Sequence, residues 1–246
     1  MIKIYSPEIF KETDNVQCVF TEANRTTVNE NGAIPGLNLG YNTSAGDDEI
    51  DKNFSDLFAS LDWDQNQIAL AEQVHGAHIE TVNKPGTRPS TDGLVTNVTG
   101  LPIGIRVADC AAVLIADPVQ KVAGAFHAGW KGAASDIIPN GIDRMVQLGA
   151  KPGSMYVFIS PCISEENFEV GEEVAVRFPE KFVNRINFKK PHIDLKGFII
   201  DQLIQKGVDT NNIECSSSCT MEDDIYYSYR RERDRAGRML AMIKLI

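Results

Sequence analysis

Three short apolar runs, Ile103–Val107 and residues 112–116 and 122–126, follow one another across linkers of only four and five residues. A helical crossover between parallel strands needs about a dozen residues or more, so the chain must turn back at each linker, and these neighbours are expected to be antiparallel. A purely parallel, doubly wound fold is disfavoured on that ground alone. Further β-rich runs lie at Val16–Thr21, at Met239–Leu245 and at residues 68–71, 78–82 and 155–159.

Helical periodicity fills the gaps. Ile50, Phe54, Leu57, Phe58 and Leu61 form a stripe that predicts an amphipathic helix over residues 48–62, its apolar face covering a sheet. A second helix is predicted over residues 131–148, with Pro139 kinking it or marking its true start. A third is predicted over residues 194–206, capped by Asp194 and stopped by Gly207. No repeat, low-complexity tract or charge block divides the 246 residues. The expected fold is therefore a single mixed α/β domain over 1–246, with a mixed, largely antiparallel sheet flanked by helices.

Charge excludes several function classes. With 34 acidic against 24 basic side chains, a net of −10, the chain repels phosphate backbones and anionic lipid at long range, so nucleic acid is not an expected partner. The apolar stretch 101–116 is interrupted by Arg106 and Asp109 and is not a membrane span. Residues 1–16 lack the continuous apolar core of a secretory signal, and five scattered cysteines suit a reducing compartment, so a cytoplasmic location is expected. Neither a Gly-x-Gly-x-x-Gly nor a P-loop pattern occurs.

Candidates for chemistry are few, because the chain has four histidines: His75, His78, His127 and His192. His75, Cys110 and His127 each sit among small residues at the end of a predicted strand, where sheet proteins place their sites. Two imidazoles and a thiolate make a three-ligand zinc set with an open fourth position, the arrangement of a catalytic zinc. The spacing alone leaves the alternative open that Cys110 is a buried small hydrophobe and the histidines are satisfied polar groups.

The strings Leu37-Asn38-Leu39-Gly40, Gln73-Val74-His75-Gly76, Ala108-Asp109-Cys110, His127-Ala128-Gly129-Trp130, Glu169-Val170-Gly171-Glu172-Glu173-Val174, Cys219-Thr220, Ser228-Tyr229-Arg230-Arg231 and Gly237-Arg238-Met239 run along nearly the whole chain in this order. In that order they resemble the YfiH-like family, also called the laccase-domain or polyphenol-oxidase family and associated with purine nucleoside phosphorylase. The resemblance implies zinc on His75, Cys110 and His127. It also implies phosphorolysis of adenosine, inosine, guanosine and methylthioadenosine, with deamination of adenosine beside it. For deamination, zinc lowers the pKa of its bound water to about 7 for attack at C6 of the purine. Asp109, beside the thiolate, is a candidate proton carrier, with orientation of the loop as its alternative role.

Phosphorolysis asks in addition for an anion pocket, for which Lys131, Arg230, Arg231 and Arg238 are the available cations, Arg230 foremost. Asn38 and Asp92 match family positions where an amide or carboxylate reads ribose hydroxyls or purine edges. The expected partners are thus purine nucleosides and phosphate, the chain acting as a monomer or small homo-oligomer. Two departures bear on this. The family's usual Asn-Arg pair is here Asn53-Phe54, which removes an arginine that could meet phosphate, and Lys131 stands where arginine is common.

Competing functions have their own signatures. A copper-dependent polyphenol oxidase needs many more histidine ligands than four, although copper binding in vitro stays open. A metal-free cysteine or amide hydrolase, acting for example on cell-wall peptide precursors, would use Cys110 as nucleophile with His127 or His75 as base. His78-Ile79-Glu80 resembles the His-x-Glu of nucleobase deaminases, but the paired cysteines of that motif are missing.

Overall fold

Along the C-terminal strand, Met239, Ala241, Ile243 and Leu245 join one buried cluster while Leu240 and Met242 join another. Both faces of the strand are covered, and the two-residue alternation says which layer lies on each side. The computed structural model describes residues 2–11, 13–25, 34–41 and 43–246. Its strands fall into two six-stranded mixed sheets. The first runs in the order β1 (Ile4–Tyr5), β2 (Val16–Thr21), β14 (Met239–Leu245), β7 (Ile103–Val107), β3 (Ala69–Ala71) and β5 (Gly86–Arg88). The second runs β13 (Ile213–Cys215), β10 (Tyr156–Ile159), β8 (Ala111–Asp117), β9 (Val122–Ala128), β6 (Gly93–Thr96) and β4 (Ile79–Thr81). A small pair, β11 (Val183–Asn184) and β12 (His192–Ile193), stands apart.

The sheets stack face to face. Between them pack Phe20, Ile105 and Ile243 of the first sheet against Leu94, Leu114 and Phe158 of the second. Helix α2 (Asp47–Leu61) covers the outer face of the first sheet through Ile50, Phe54, Leu57 and Phe58. Each such side chain contributes about 1.5–3 kcal/mol on burial. The outer face of the second sheet is covered by α3 (Trp130–Ala134), α4 (Ile137–Gln147) and α6 (Leu195–Gln205), which bury Ile137, Ile142, Met145, Leu195, Ile199 and Leu203 against Val113, Ile115 and Phe126. Short helices α1 (Glu8–Lys11), α5 (Glu172–Ala175) and α7 (Tyr229–Glu232) complete the set.

The mixed α/β reading holds, with its strands divided between two layers. One pairing expectation fails: β8 and β9 are antiparallel partners, but β7 bonds to β14 and β3 and not to β8. Residues 108–110 do not form a hairpin turn; they step from one sheet to the other. The reason lies in burial. Strands covered on both faces carry no sequence mark of which sheet they join. The predicted helix over 131–148 is likewise two helices, broken at Ser135 and Asp136, the latter at φ 61°, so that Pro139 falls in the first turn of α4. Helix α6 keeps its predicted ends: the Asp194 carboxylate accepts the Gly197 N–H at 2.9 Å, and Gly207 takes φ 88°.

Candidate metal centre and its cavity

The step between the sheets builds the site. Cys110 is the last residue of that step, and Asp109 before it adopts φ 76°. His127 is the penultimate residue of β9, in register with Ala112 of β8, so by strand parity it points between the sheets. His75 lies on the loop after β3 with φ 61°, a left-handed conformation uncommon for a non-glycine residue. The ligand atoms of His75, Cys110 and His127 all lie within 4.8 Å of one another, with His75 exposed, Cys110 half-buried and His127 buried. Among the described residues no other group of three or more His, Cys, Asp or Glu is gathered in this way.

One carboxylate holds the arrangement from behind. Asp92, fully buried just before β6, accepts the His75 N–H on Oδ1 at 2.9 Å and the Gly76 N–H on Oδ2 at 2.7 Å. Its Oδ1 also meets His127 Nδ1 at 2.8 Å, leaving Nε2 to face the thiol. Burial raises the Asp92 carboxyl, but the hydrogen bonds from His127 and the loop amides hold it below its ordinary value.

Burial also pushes the Cys110 thiol up, yet the charge of His127 and hydrogen bonds from both imidazoles bring it down to about 6. Burial pushes His127 down, while the Cys110 thiolate and Asp92 hold it up at about 9. The pair therefore favours thiolate and imidazolium. Gly129 makes room for it, because a Cβ there would meet Cys110 Sγ at 2.8 Å and His75 Cδ2 at 3.6 Å. Two imidazoles and a thiolate of depressed pKa fit zinc with a fourth position open.

The cluster opens onto a cavity of about 800 Å³, within the range of small-molecule sites. Tyr41, Trp130, Ile163, Phe168 and Tyr229 supply apolar wall, and Arg106, Arg230 and Arg238 supply positive charge. Among the described residues none of the three arginines has a carboxylate within 4.0 Å.

The other sequence candidates divide between wall and frame. Asp109 lines the cavity, its Oδ1 accepting from the Thr220 hydroxyl at 2.6 Å and its Oδ2 from the Arg230 N–H at 2.5 Å. Arg230 also lines it, with its guanidinium on the Asn167 and Glu169 carbonyls at 3.3 and 3.0 Å. Asn38 stands behind the wall, donating to Thr43 and accepting the Gly40 and Arg238 amides at 3.0 and 2.9 Å. Asp92 too is behind the wall. Arg231 is spent on the carbonyls of Thr220, Met221 and Tyr226 and on Glu232, and Lys131 lies over the Trp130 ring.

Arg106 was absent from the sequence candidates. Its signal was there: a cation inside an apolar run, read only as excluding a membrane span. Its guanidinium rests 5.5 Å from both the Tyr41 and Phe54 rings, so Phe54, where the resemblance expects arginine, supports an arginine from another element.

The sequence profile of the multi-copper polyphenol oxidoreductase laccase family matches residues 17–246. The chain belongs to this family. Among relatives of this laccase family, a purine nucleoside phosphorylase of Deinococcus radiodurans is 35% identical over 219 residues, covering 87% of this chain and 84% of that protein. A purine nucleoside phosphorylase of Streptomyces coelicolor is 33% identical, covering 87% and 90%. Of solved structures, the Bacillus licheniformis hypothetical protein YfiH superposes with a TM-score of 0.91 at 26% identity, over 100% of this chain and 97% of that one. YlmD from Geobacillus stearothermophilus gives 0.88 at 25% identity, over 97% and 94%. Among the described residues no helix of this laccase-family chain is long and apolar enough to cross a membrane.

Proposed function

We propose that this chain is a zinc-dependent purine nucleoside phosphorylase, taking adenosine, inosine, guanosine or methylthioadenosine with phosphate to the free base and ribose 1-phosphate. Adenosine deamination is its companion reaction. It works in the cytoplasm as one domain, a monomer or small homo-oligomer. The observation that carries this reading is the opening of the His75–Cys110–His127 cluster onto a cavity whose remaining wall holds arginines without carboxylate partners. A neutral, flat base suits the aromatic wall and an oxyanion suits the arginines. The curated relatives' names support the same reading.

His75, Cys110 and His127 would hold the zinc, which when bound supplies Lewis acidity beside the substrate and activates water for deamination. In phosphorolysis the C1′–N9 bond breaks while a phosphate oxygen bonds to C1′, and the proton carried by phosphate ends on the purine. The protein's part is to hold the phosphate against C1′ and to keep water out. Asp109 is assigned to positioning: it fixes the Arg230 amide, and with it the cationic wall. Asp92 acts through His127 and the His75 loop, and Asn38 through the Gly40 and Arg238 backbone, instead of by touching nucleoside.

Phenol oxidation by several coppers is the poorer fit. His78 is exposed before β4, and His192 stacks on Phe188 with ring centroids 3.7 Å apart, its Nδ1 on the Glu165 carbonyl. Among the described residues a single ion's worth of histidine and cysteine converges. The Cys110–His127 ion pair favours one second reading, a cysteine hydrolase working without metal.

Incubation with inosine or adenosine, with and without phosphate, followed by chromatography of base, ribose 1-phosphate and ammonia, tests the proposal. Phosphate-dependent ribose 1-phosphate that is lost in Cys110→Ala supports it. No product from the zinc-loaded protein, or undiminished product from the variant, rejects it.

A further inference from the structure

Of the three arginines on the cavity, two are largely spoken for. Arg230 gives both terminal nitrogens to carbonyls, and Arg238 gives Nη1 to the carbonyls of Ala236 and Gly237. Arg106 differs. Its Nε donates to the Leu39 carbonyl at 2.7 Å, and among the described residues neither terminal nitrogen has an acceptor. Four N–H donors of one fork are thus left for the cavity. A half-buried guanidinium without a counter-charge is costly to keep, and burial here lowers its pKa.

The group is also held still. Tyr41 and Phe54 stack with centroids 6.1 Å apart and planes 10° from parallel, and Arg106 sits across both rings. The Gln73 side chain brackets the Arg106 backbone, accepting its N–H at 2.8 Å and donating to its carbonyl at 2.7 Å. Tyr41 is itself pinned by its hydroxyl on Asp51 at 2.5 Å. Arg238 lines the same cavity, two residues before Leu240, which pairs with Arg106 across β14 and β7. Of the two acids on this wall, Asp109 is taken up by the Thr220 hydroxyl and the Arg230 N–H, and Glu72 is exposed; among the described residues neither is ion-paired with Arg106 or Arg238.

We propose that Arg106 is the specificity-determining residue for the inorganic co-substrate, taking a tetrahedral oxyanion by two parallel hydrogen bonds from its terminal nitrogens, with Arg238 on the wall of the same cavity. The proposal rests on the phosphorolysis reading for its meaning, since that reading needs phosphate in this cavity. Its binding claim stands separately. A fork fixed on an aromatic platform matches phosphate bidentately, which a lysine ammonium cannot do.

The test uses the full chain, zinc-loaded, with inorganic phosphate as the probe, comparing wild type, Arg106→Met and Arg106→Lys. Methionine keeps most of the apolar stem over Tyr41 and Phe54, and thermal melts check that each variant is folded. Calorimetry is expected to show phosphate binding by wild type, weakened roughly 10- to 100-fold in Arg106→Met and partly restored in Arg106→Lys. Steady-state kinetics should show KM for phosphate rising by the same factor while KM for inosine stays within about two-fold. Phosphate binding unchanged in folded Arg106→Met, absent from wild type, or a rise in KM for inosine alone overturns the proposal. Should wild type bind phosphate through Arg106 yet make no ribose 1-phosphate, the anion site stands and the phosphorolysis reading falls.

Discussion

The Asp92 carboxylate and the His127 imidazole lie 2.8 Å apart, Oδ1 to Nδ1, both buried in the space between the two sheets. The same carboxylate accepts the backbone N–H groups of His75 and of the residues on either side of it, so one buried anion positions two of the three candidate metal ligands.

Asp92→Asn keeps the shape and removes the charge. Its amide must turn a donor toward either His127 or the loop amides, which are donors themselves. Zinc affinity is expected to fall by about 10- to 100-fold, read by competition with a chromophoric chelator. Thermal stability should fall with it, since hydrogen bonds to a charged group contribute about 1.5–3 kcal/mol. Wild-type zinc affinity in the variant would remove Asp92 from the account.

Gly129→Ala separates the site from the fold. Gly129 has φ −72° and ψ 170°, which alanine adopts freely, so the backbone gives no reason for the mutation to hurt. The new methyl would stand 2.8 Å from Cys110 Sγ. Zinc content after dialysis should drop well below one per chain, while circular dichroism and the melting temperature stay near wild type. Full zinc retention would show that Cys110 does not need that space.

The thiol predicts a pH dependence of reactivity. In the metal-free protein, iodoacetamide should label Cys110 with a midpoint near pH 6, against about 8.5 for an ordinary cysteine. Stability behaves otherwise. The depressed thiol contributes stability above its unfolded pKa that is lost as pH falls through about 6, and the raised His127 contributes stability that is lost as pH rises through about 9. Between about pH 6.5 and 8.5 the pair carries one proton folded or unfolded, so it adds no slope there. Labelling with a midpoint above 8 would contradict the ion pair.

Much of the frame was legible because its periodicities are local. Val16–Thr21, Ile103–Val107 and Met239–Leu245 are strands at the bounds read from β-branched content, and Asp194 caps α6 as its side chain dictates. The division into two sheets was not legible, since nothing in residues 108–110 distinguishes a hairpin turn from a step between layers. Short strands such as Gly93–Thr96 were missed for want of alternation, every residue of that strand being buried. At the site, the convergence of His75, Cys110 and His127 came from the resemblance and is matched by geometry, whereas the spacing alone left it open. Arg106 went unread because its partners, Tyr41, Phe54 and Leu39, are far away in sequence.

The most direct measurement titrates zinc into metal-free protein while following phosphate-dependent release of hypoxanthine and ribose 1-phosphate from inosine. Activity should rise linearly and break at one ion per chain in wild type, and stay at background in Cys110→Ala. Full activity before any metal is added, or a rise that needs several ions per chain, would contradict a single zinc centre on these three residues.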